Sequence, residues 1–308
     1  MNAQIERLRR LGRPKRIVYP EGDDPRIVAA ARRLAREGLA DPILVGRAPA
    51  GSELRYVDPQ SSPEAGRYAA LYYQRRRARG VSERDAARIA RRPLYFAALM
   101  VAAGDADGTV GGASATTAET VRAALHAIGT APGVRTVSGF FIMAVRQRRF
   151  GAGGLLVFSD CAVVVDPSAG ELAEIALAAA GSVRTLLDAE PKVALLGCSL
   201  EAVPDDQQAR KAARALEEIS RRAPDLAALC AQDAAQAVAA GANALIFPNL
   251  NAGNICYKLV ERFGGAAAFG PFLQGLARPA NDLSRACTAE DVYGVSLITA
   301  LQAAGTGS

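Results

Sequence analysis

Arg16-Ile-Val-Tyr-Pro-Glu-Gly-Asp-Asp-Pro-Arg26 holds a strand, a turn and the start of a helix. Arg16 to Tyr19 carries the β-branched and aromatic content of a buried strand. Asp24 before Pro25 supplies an N-cap and a proline at the first helical position, where its missing N–H costs nothing. Ile27, Val28, Ala31, Leu34 and Ala35 then recur on one helical face, and Gly38 is a stop signal. Ile43-Leu-Val45 reads as a second strand. A strand, a helix and a strand in that order build parallel sheets, so the chain is expected to be α/β.

The same alternation continues along the 308 residues. Ala48 to Ser62, rich in proline, glycine and serine, reads as a surface loop. Helices are expected over 67–79, 82–91 and 93–103, then 169–187, 205–222, 233–240 and 253–263, with a last one over 288–303. Further strands are expected over 136–143, 155–158, 162–165, 193–198 and 244–247. This length exceeds one typical domain of about 150 residues and leaves ample material for a buried core.

Charge is uneven. The net charge is +6, yet the residues up to Met100 hold 21 basic against 11 acidic side chains. That local excess points to an anionic partner. Arginine makes up 33 of the 37 cations, a bias that base composition of the coding DNA produces without any functional cause. Arg75-Arg76-Arg77-Ala78-Arg79 is read either as a solvated helix face or as an anion clamp.

Several chemistries lack their residues. No GxxxxGK[ST] or GxGxxG turn occurs, which removes a P-loop and a conventional dinucleotide site. His126 is the only histidine, lies in an alanine-rich stretch of helical spacing, and is read as structural or surface. The five cysteines form no CxxC pair, which suits a reducing, cytoplasmic compartment. No metal site, nucleic-acid motif or membrane span is expected.

What remains is a set of polar, glycine-containing turns at element ends, the places where open α/β sheets bind ligands. Pro20-Glu-Gly-Asp-Asp-Pro-Arg26, Met100-Val-Ala-Ala-Gly-Asp-Ala-Asp-Gly108, Asp160-Cys-Ala-Val163, Asn249-Leu-Asn-Ala-Gly-Asn-Ile255, Tyr257-Lys-Leu-Val260, Gly270-Pro-Phe-Leu-Gln-Gly275 and Asn281-Asp-Leu-Ser-Arg285 run in order from about Arg16 to Ala303. Together they resemble the phosphate acetyltransferases, the acetyl branch of the phosphate acetyl/butyryltransferase superfamily. The resemblance implies reversible acetyl transfer between acetyl phosphate and coenzyme A by direct thiol attack in a ternary complex. It implies two α/β domains with mostly parallel sheets, an isocitrate dehydrogenase-like architecture with the active site in the interdomain cleft, and a homodimer. Coenzyme A would be a substrate, with no permanently bound cofactor. By the same analogy residues 1–136 plus 288–308 make the first domain and residues 137–287 the second.

Roles follow residue by residue from that resemblance. Arg285 would hold the phosphate, Ser284 would hydrogen-bond the substrate or tetrahedral intermediate, and Asp291 would take the thiol proton. Arg76 and Arg122 would bind coenzyme A. Thr116, Thr117, Asn251 and Asn254 are further substrate-binding candidates. Local sequence alone offers bland readings of the same residues: Thr288-Ala-Glu-Asp291 resembles a capping box, and either threonine would serve as an N-cap. The usual thiol pKa of ~8.5 lies ~4.6 above the usual carboxylate value of ~3.9, about 6 kcal/mol against complete proton transfer before attack. Concerted transfer is therefore expected. Cys161 is read as a buried thiol beside the cleft and not as a covalent carrier, because coenzyme A brings its own sulfur.

The resemblance weakens at four places. Gly197-Cys-Ser-Leu-Glu-Ala202 stands where the family has a Ser/Thr-rich turn with Lys-Gly, the segment from Ala227 to Asn243 is shorter, and Ala115 and Val164 replace polar residues. Two other functions stay open on that ground: transfer of a larger acyl group, propionyl or butyryl, and a non-catalytic acetyl-coenzyme A-binding paralogue.

Overall fold

The computed structural model describes residues 2–197 and 207–305. The chain folds into two units, one made of the residues up to Ala131 together with those from Leu276 onward, the other of Pro132–Gly275.

In the first unit the chain runs through α1 (Asn2–Arg9), β1 (Lys15–Tyr19), α2 (Pro25–Arg36), β2 (Ala40–Val45) and β3 (Arg55–Val57). It continues with α3 (Ala65–Arg76), a 3₁₀ turn over Arg77–Arg79, α4 (Glu83–Ala90), α5 (Pro93–Ala103), β4 (Gly108–Gly111) and α6 (Thr117–Ala127). The opening unit forms as its sequence dictates. Asp24 caps α2 by accepting from the Arg26 N–H at 2.9 Å, with Pro25 behind it, and β1 lies parallel to β2 with Val18 opposite Ile43. Ile27, Ala31 and Leu34 are fully buried on the inner face of α2. The loop expected over 48–62 contains β3, which adds to the edge of β2 through Ile43 to Val45. Three residues with exposed or half-buried side chains carry no alternating pattern, so nothing marked them as a strand.

The second unit holds β5 (Ser138–Ala144), β6 (Leu155–Ser159), α7 (Ala169–Ser182) with a π-helical turn over Val183–Leu187, and β7 (Lys192–Leu196). It then adds α8 (Gln207–Arg222), β8 (Ala227–Ala231), α9 (Ala234–Ala239), β9 (Ala244–Ile246), α10 (Leu250–Arg262) and β10 (Ala267–Gln274). Its sheet has the order β10-β5-β6-β9-β7-β8, with β10, β5 and β6 antiparallel and the rest parallel. The strand expected over 162–165 does not form. The Asp160 carboxylate accepts from the N–H groups of Ala162, Val163 and Val164 at 2.7–3.1 Å, so these donors close a tight turn and none is left for a ladder.

The chain returns to the first unit at Leu276, earlier than the expected 288, with β11 (Ala280–Asp282) and α11 (Ala289–Gly305). β11 pairs parallel with β4, placing Ala280, Asn281 and Asp282 opposite Thr109, Val110 and Gly111. The first sheet therefore has the order β11-β4-β1-β2-β3 and is parallel throughout. A strand reading Ala-Asn-Asp has no hydrophobic period, which is why its sequence reads as a turn. Its placement decides the site, because Asn281-Asp-Leu-Ser-Arg285 and Gly111 to Thr117 leave adjacent strands of one sheet.

Candidate active site

In a parallel sheet all carboxyl ends lie on one edge, where ligands bind. Of the loops that leave that edge of the first sheet, three come from its adjacent strands β1, β4 and β11: residues 20–24, 112–116 and 283–288.

Glu21 organises the first two. One carboxylate oxygen accepts from the N–H groups of Gly112 and Ala113, both at 2.9 Å. The other accepts from the Ser114 N–H at 2.8 Å, the Ala115 N–H at 2.9 Å and the Ser114 hydroxyl at 3.0 Å. Successive N–H groups before a helix form an anion nest. Here the chain fills its own nest, and Ala115 serves it through its backbone.

Arg26 ties in the third loop. Its guanidinium grips both Asp24 oxygens, at 3.0 and 2.7 Å, and donates to the carbonyls of Arg285 at 2.8 Å, Cys287 at 3.0 Å and Ala113 at 2.8 Å. The Arg26 bonds hold the Asp24 carboxyl below its ordinary pKa. The Leu283 N–H ties the turn to β4 by donating to Gly111 O at 2.7 Å, and the turn is closed from within by the Ala286 N–H to the Ser284 hydroxyl at 3.2 Å and the Cys287 N–H to Ser284 O at 2.9 Å. Ser284 and Arg285 are both exposed on this clamped turn. Sequence reading named these two but missed Glu21 and Arg26 as the groups that hold them. Their signal was available, since charged residues crowding a strand-to-helix turn have to go somewhere.

The threonines have internal tasks. Thr116 caps α6 in a reciprocal box with Glu119. Thr117 donates its hydroxyl to the Asp282 carboxylate at 2.6 Å. With the preceding N–H groups taken by Glu21, the structure gives both threonines capping or bridging contacts. Asp282 itself is buried, and its ordinary carboxylate pKa is pushed up to about 6, first by desolvation. Its second oxygen is buried without any hydrogen-bond partner.

Asp291 lies on the first turn of α11, exposed, and one of its oxygens accepts from the Thr288 N–H and hydroxyl, both at 2.8 Å. The Asp291 N–H donates back to the Thr288 hydroxyl at 3.2 Å. The capping-box reading thus holds, and it leaves Asp291 at the same edge of the sheet as Ser284 and Arg285.

Arg76 and Arg122 form a second cluster of the first unit, on α3 and α6. Both lie close enough to His126 to lower its pKa, after the larger effect of desolvation. The Arg76 Nε is buried with no hydrogen-bond partner, while the neighbouring Arg75 guanidinium is spent on Ile128 O at 2.5 Å. His126 packs near Tyr95, with ring centroids 6.4 Å apart.

The second unit carries the remaining candidates. Asn254 donates to Cys161 O at 3.4 Å and accepts from Lys258 at 2.8 Å, while Asn251 is exposed on α10. Cys161 is buried and its thiol pKa is raised by desolvation, which suits the packing role and not a nucleophile. Any side chain at Gly253 would collide with Asp160 O, so glycine lets α10 approach this turn. Residues 198–202 of the turn expected to differ from the family lie outside the described residues. In the segment from Ala227 to Asn243, β8 is followed after Gln232 and Asp233 by α9, which Asp233 caps.

Residues 1–300 match the family described as phosphate acetyl/butaryl transferase. A phosphate acetyltransferase of Paracoccus denitrificans is 43% identical over 305 residues, covering 94% of this chain and 95% of the relative. A phosphotransacetylase from Streptococcus pyogenes superposes with a TM-score of 0.90 at 37% identity, covering 99% of each chain. A 4-hydroxythreonine-4-phosphate dehydrogenase from Klebsiella pneumoniae, 14% identical with a TM-score of 0.51, shares the fold alone.

Proposed function

Because the chain belongs to the phosphate acetyl/butaryl transferase family, we propose that it transfers acetyl groups reversibly between acetyl phosphate and coenzyme A. One observation carries the reading to particular residues: the exposed Ser284-Arg285 turn is clamped by Arg26 at the carboxyl edge of a parallel sheet. Arg285 offers a planar fork to the acyl phosphate, and Ser284 offers a hydroxyl to the developing oxyanion. The coenzyme A sulfur attacks the carbonyl carbon in a ternary complex while Asp291 takes the thiol proton. The carbon–oxygen bond to phosphate then breaks, and inorganic phosphate leaves with its electron pair.

Arg76 and Arg122 support the coenzyme A assignment as two cations that both act on His126, with the Glu119 carboxylate in the field of Arg122; a 3′-phosphate or pyrophosphate would suit such a pair. Coenzyme A enters as a substrate, and no cofactor is permanently bound. A homodimer is supported by the apolar stripe of Ile255 and Leu259 on α10 continued by Phe263 at its C-cap, with Phe263 87% exposed, beside the edge strand β10. A monomer mass by sedimentation equilibrium would remove this part. The free thiols Cys161, Cys256 and Cys287 suit a cytoplasmic location, and among the described residues no helix is long and apolar enough to cross a membrane.

Thioester formation from coenzyme A with acetyl, propionyl and butyryl phosphate tests the reading. Acetyl phosphate is expected to be the best donor. A better rate with butyryl phosphate would replace acetyl with a larger acyl group, and no thioester from any donor would leave only coenzyme A binding.

A further inference from the structure

Asp282 is a buried carboxylate with one oxygen bonded to Thr117 and the other without a partner. A half-satisfied buried carboxylate lowers stability, and such groups persist mainly where function requires them. The surroundings fix it on every side. Gly112 adopts a φ of +100°, and any side chain there would run into the unpartnered oxygen. The Thr117 and Thr120 hydroxyls from α6 and the Leu283 N–H at the start of the turn favour the Asp282 anion, and Glu21, the charged neighbour from the β1–α2 turn, opposes it. On the other side α11 holds the adjacent Asn281 through Thr299 and Gln302. Two residues further on, the chain reaches Ser284.

We propose that Asp282 is a positioning residue for acetyl transfer: its carboxylate, tied to Thr117 and backed by Gly112, fixes the Ser284–Arg285 turn that receives the acyl phosphate. This rests on the acetyl-transfer reading of that turn. Arg26 holds the turn from its carbonyl side, and Asp282 holds it from the strand side. The anion is the working form, since it accepts the Thr117 hydroxyl most strongly.

The pKa of about 6 fixes the sign of the pH dependence. It is raised above the unfolded value, so the neutral form adds stability fully below about 4, and that stability is lost as pH rises through about 6. Activity runs the other way and falls as Asp282 becomes protonated below about 6. Position and stability therefore separate in one variant.

The test uses the full chain, with kcat and KM for acetyl phosphate and coenzyme A between pH 5 and 8, beside thermal unfolding over the same range. Asp282→Asn is expected to unfold no earlier than the parent at pH 7.5, to lose about 10–100-fold in kcat, and to change the coenzyme A KM less than twofold. A variant that keeps its kcat overturns the proposal, as does one that loses kcat and melting temperature together, which a purely structural carboxylate would do. Thr117→Val covers a failure of the first variant to fold. Without the hydroxyl the anion is less favoured, so the acid limb of kcat is expected to move up by about 0.5–1 pH unit. An unmoved limb overturns the inference even where the enzyme is active. A parent that forms no thioester removes the acetyl-transfer reading and this inference with it.

Discussion

Glu21→Gln tests whether the chain's own carboxylate builds the active-site edge. The carboxylate accepts four backbone N–H groups and the Ser114 hydroxyl, all within 2.8–3.0 Å. An amide has one acceptor end, so its NH₂ must face at least two of these N–H donors. Hydrogen bonds to charged groups contribute about 1.5–3 kcal/mol each, and losing two would cost roughly 3–6 kcal/mol in a closed site. Glu21 is half-buried, so water recovers part of this, and about 2–4 kcal/mol is expected. With a urea slope of about 2 kcal/mol/M, the first unfolding midpoint by far-UV circular dichroism should fall by about 1–2 M. The same loop leads into Thr117, so kcat should fall as well. A midpoint shift below about 0.3 M would refute the reasoning, because it would mean that the N–H groups are satisfied equally well without the charge.

Three further outcomes follow from the same geometry. Asp291→Asn can still accept from Thr288, so α11 should keep its melting temperature while kcat falls about 10²–10⁴-fold; Thr288→Ala should lose about 1 kcal/mol of stability and keep kcat. Equal losses of turnover in the two variants would make Asp291 a cap and nothing more. Arg285→Lys preserves charge but not the planar fork, so the KM for acetyl phosphate should rise at least about tenfold, and a parent-like KM would show that a point charge suffices. His126, as the only imidazole, gives a single histidine signal in proton NMR. Its midpoint should lie below 6.5 in the free protein, through desolvation and the fields of Arg76 and Arg122, and should rise when coenzyme A places phosphate between them. A midpoint unmoved at saturation would put the coenzyme A phosphates elsewhere. In the free protein the sign is that of a depressed pKa, so this contribution to stability is present at neutral pH and lost as pH falls through the His126 midpoint.

Elements with a strong period were legible. α2 announced itself by Asp24-Pro25 and its apolar face, and the strands from Arg16 and Ile43 stand within a few residues of where their apolar runs lie. β3, β4, β8, β10 and β11 were not, because short or polar strands, and one interrupted by Gly270-Pro271, are specified by the neighbours they pair with and not by their own pattern. The 162–165 run shows the opposite failure: Ala-Val-Val-Val has strand composition, yet one upstream carboxylate, Asp160, takes its donors. At the site, Ser284, Arg285 and Asp291 were legible only through a family resemblance, since each has a sound local role as turn former, surface charge or cap. Asp282 stood inside the quoted Asn281-Asp-Leu-Ser-Arg285 run and gave no signal, because burial and a missing partner are properties of the folded neighbourhood.

The filled nest bears on how phosphate can be recognised here. A backbone cradle at a helix N-terminus is the common solution, and the 112–115 loop before α6 has the donors for one. Glu21 occupies all four, and displacing it would strip a carboxylate of five hydrogen bonds at once. Under the acetyl-transfer reading, phosphate recognition therefore falls to side-chain guanidinium, with Arg285 presented outward while Arg26 is consumed in holding it. That division accounts for the missing glycine-rich phosphate motif in a chain whose substrates all carry phosphate. It also explains why so many donors and acceptors near Ser284 are spent on one another: a flexible arginine on a loose loop loses entropy with every substrate it binds, whereas a turn fixed in advance loses it once, during folding.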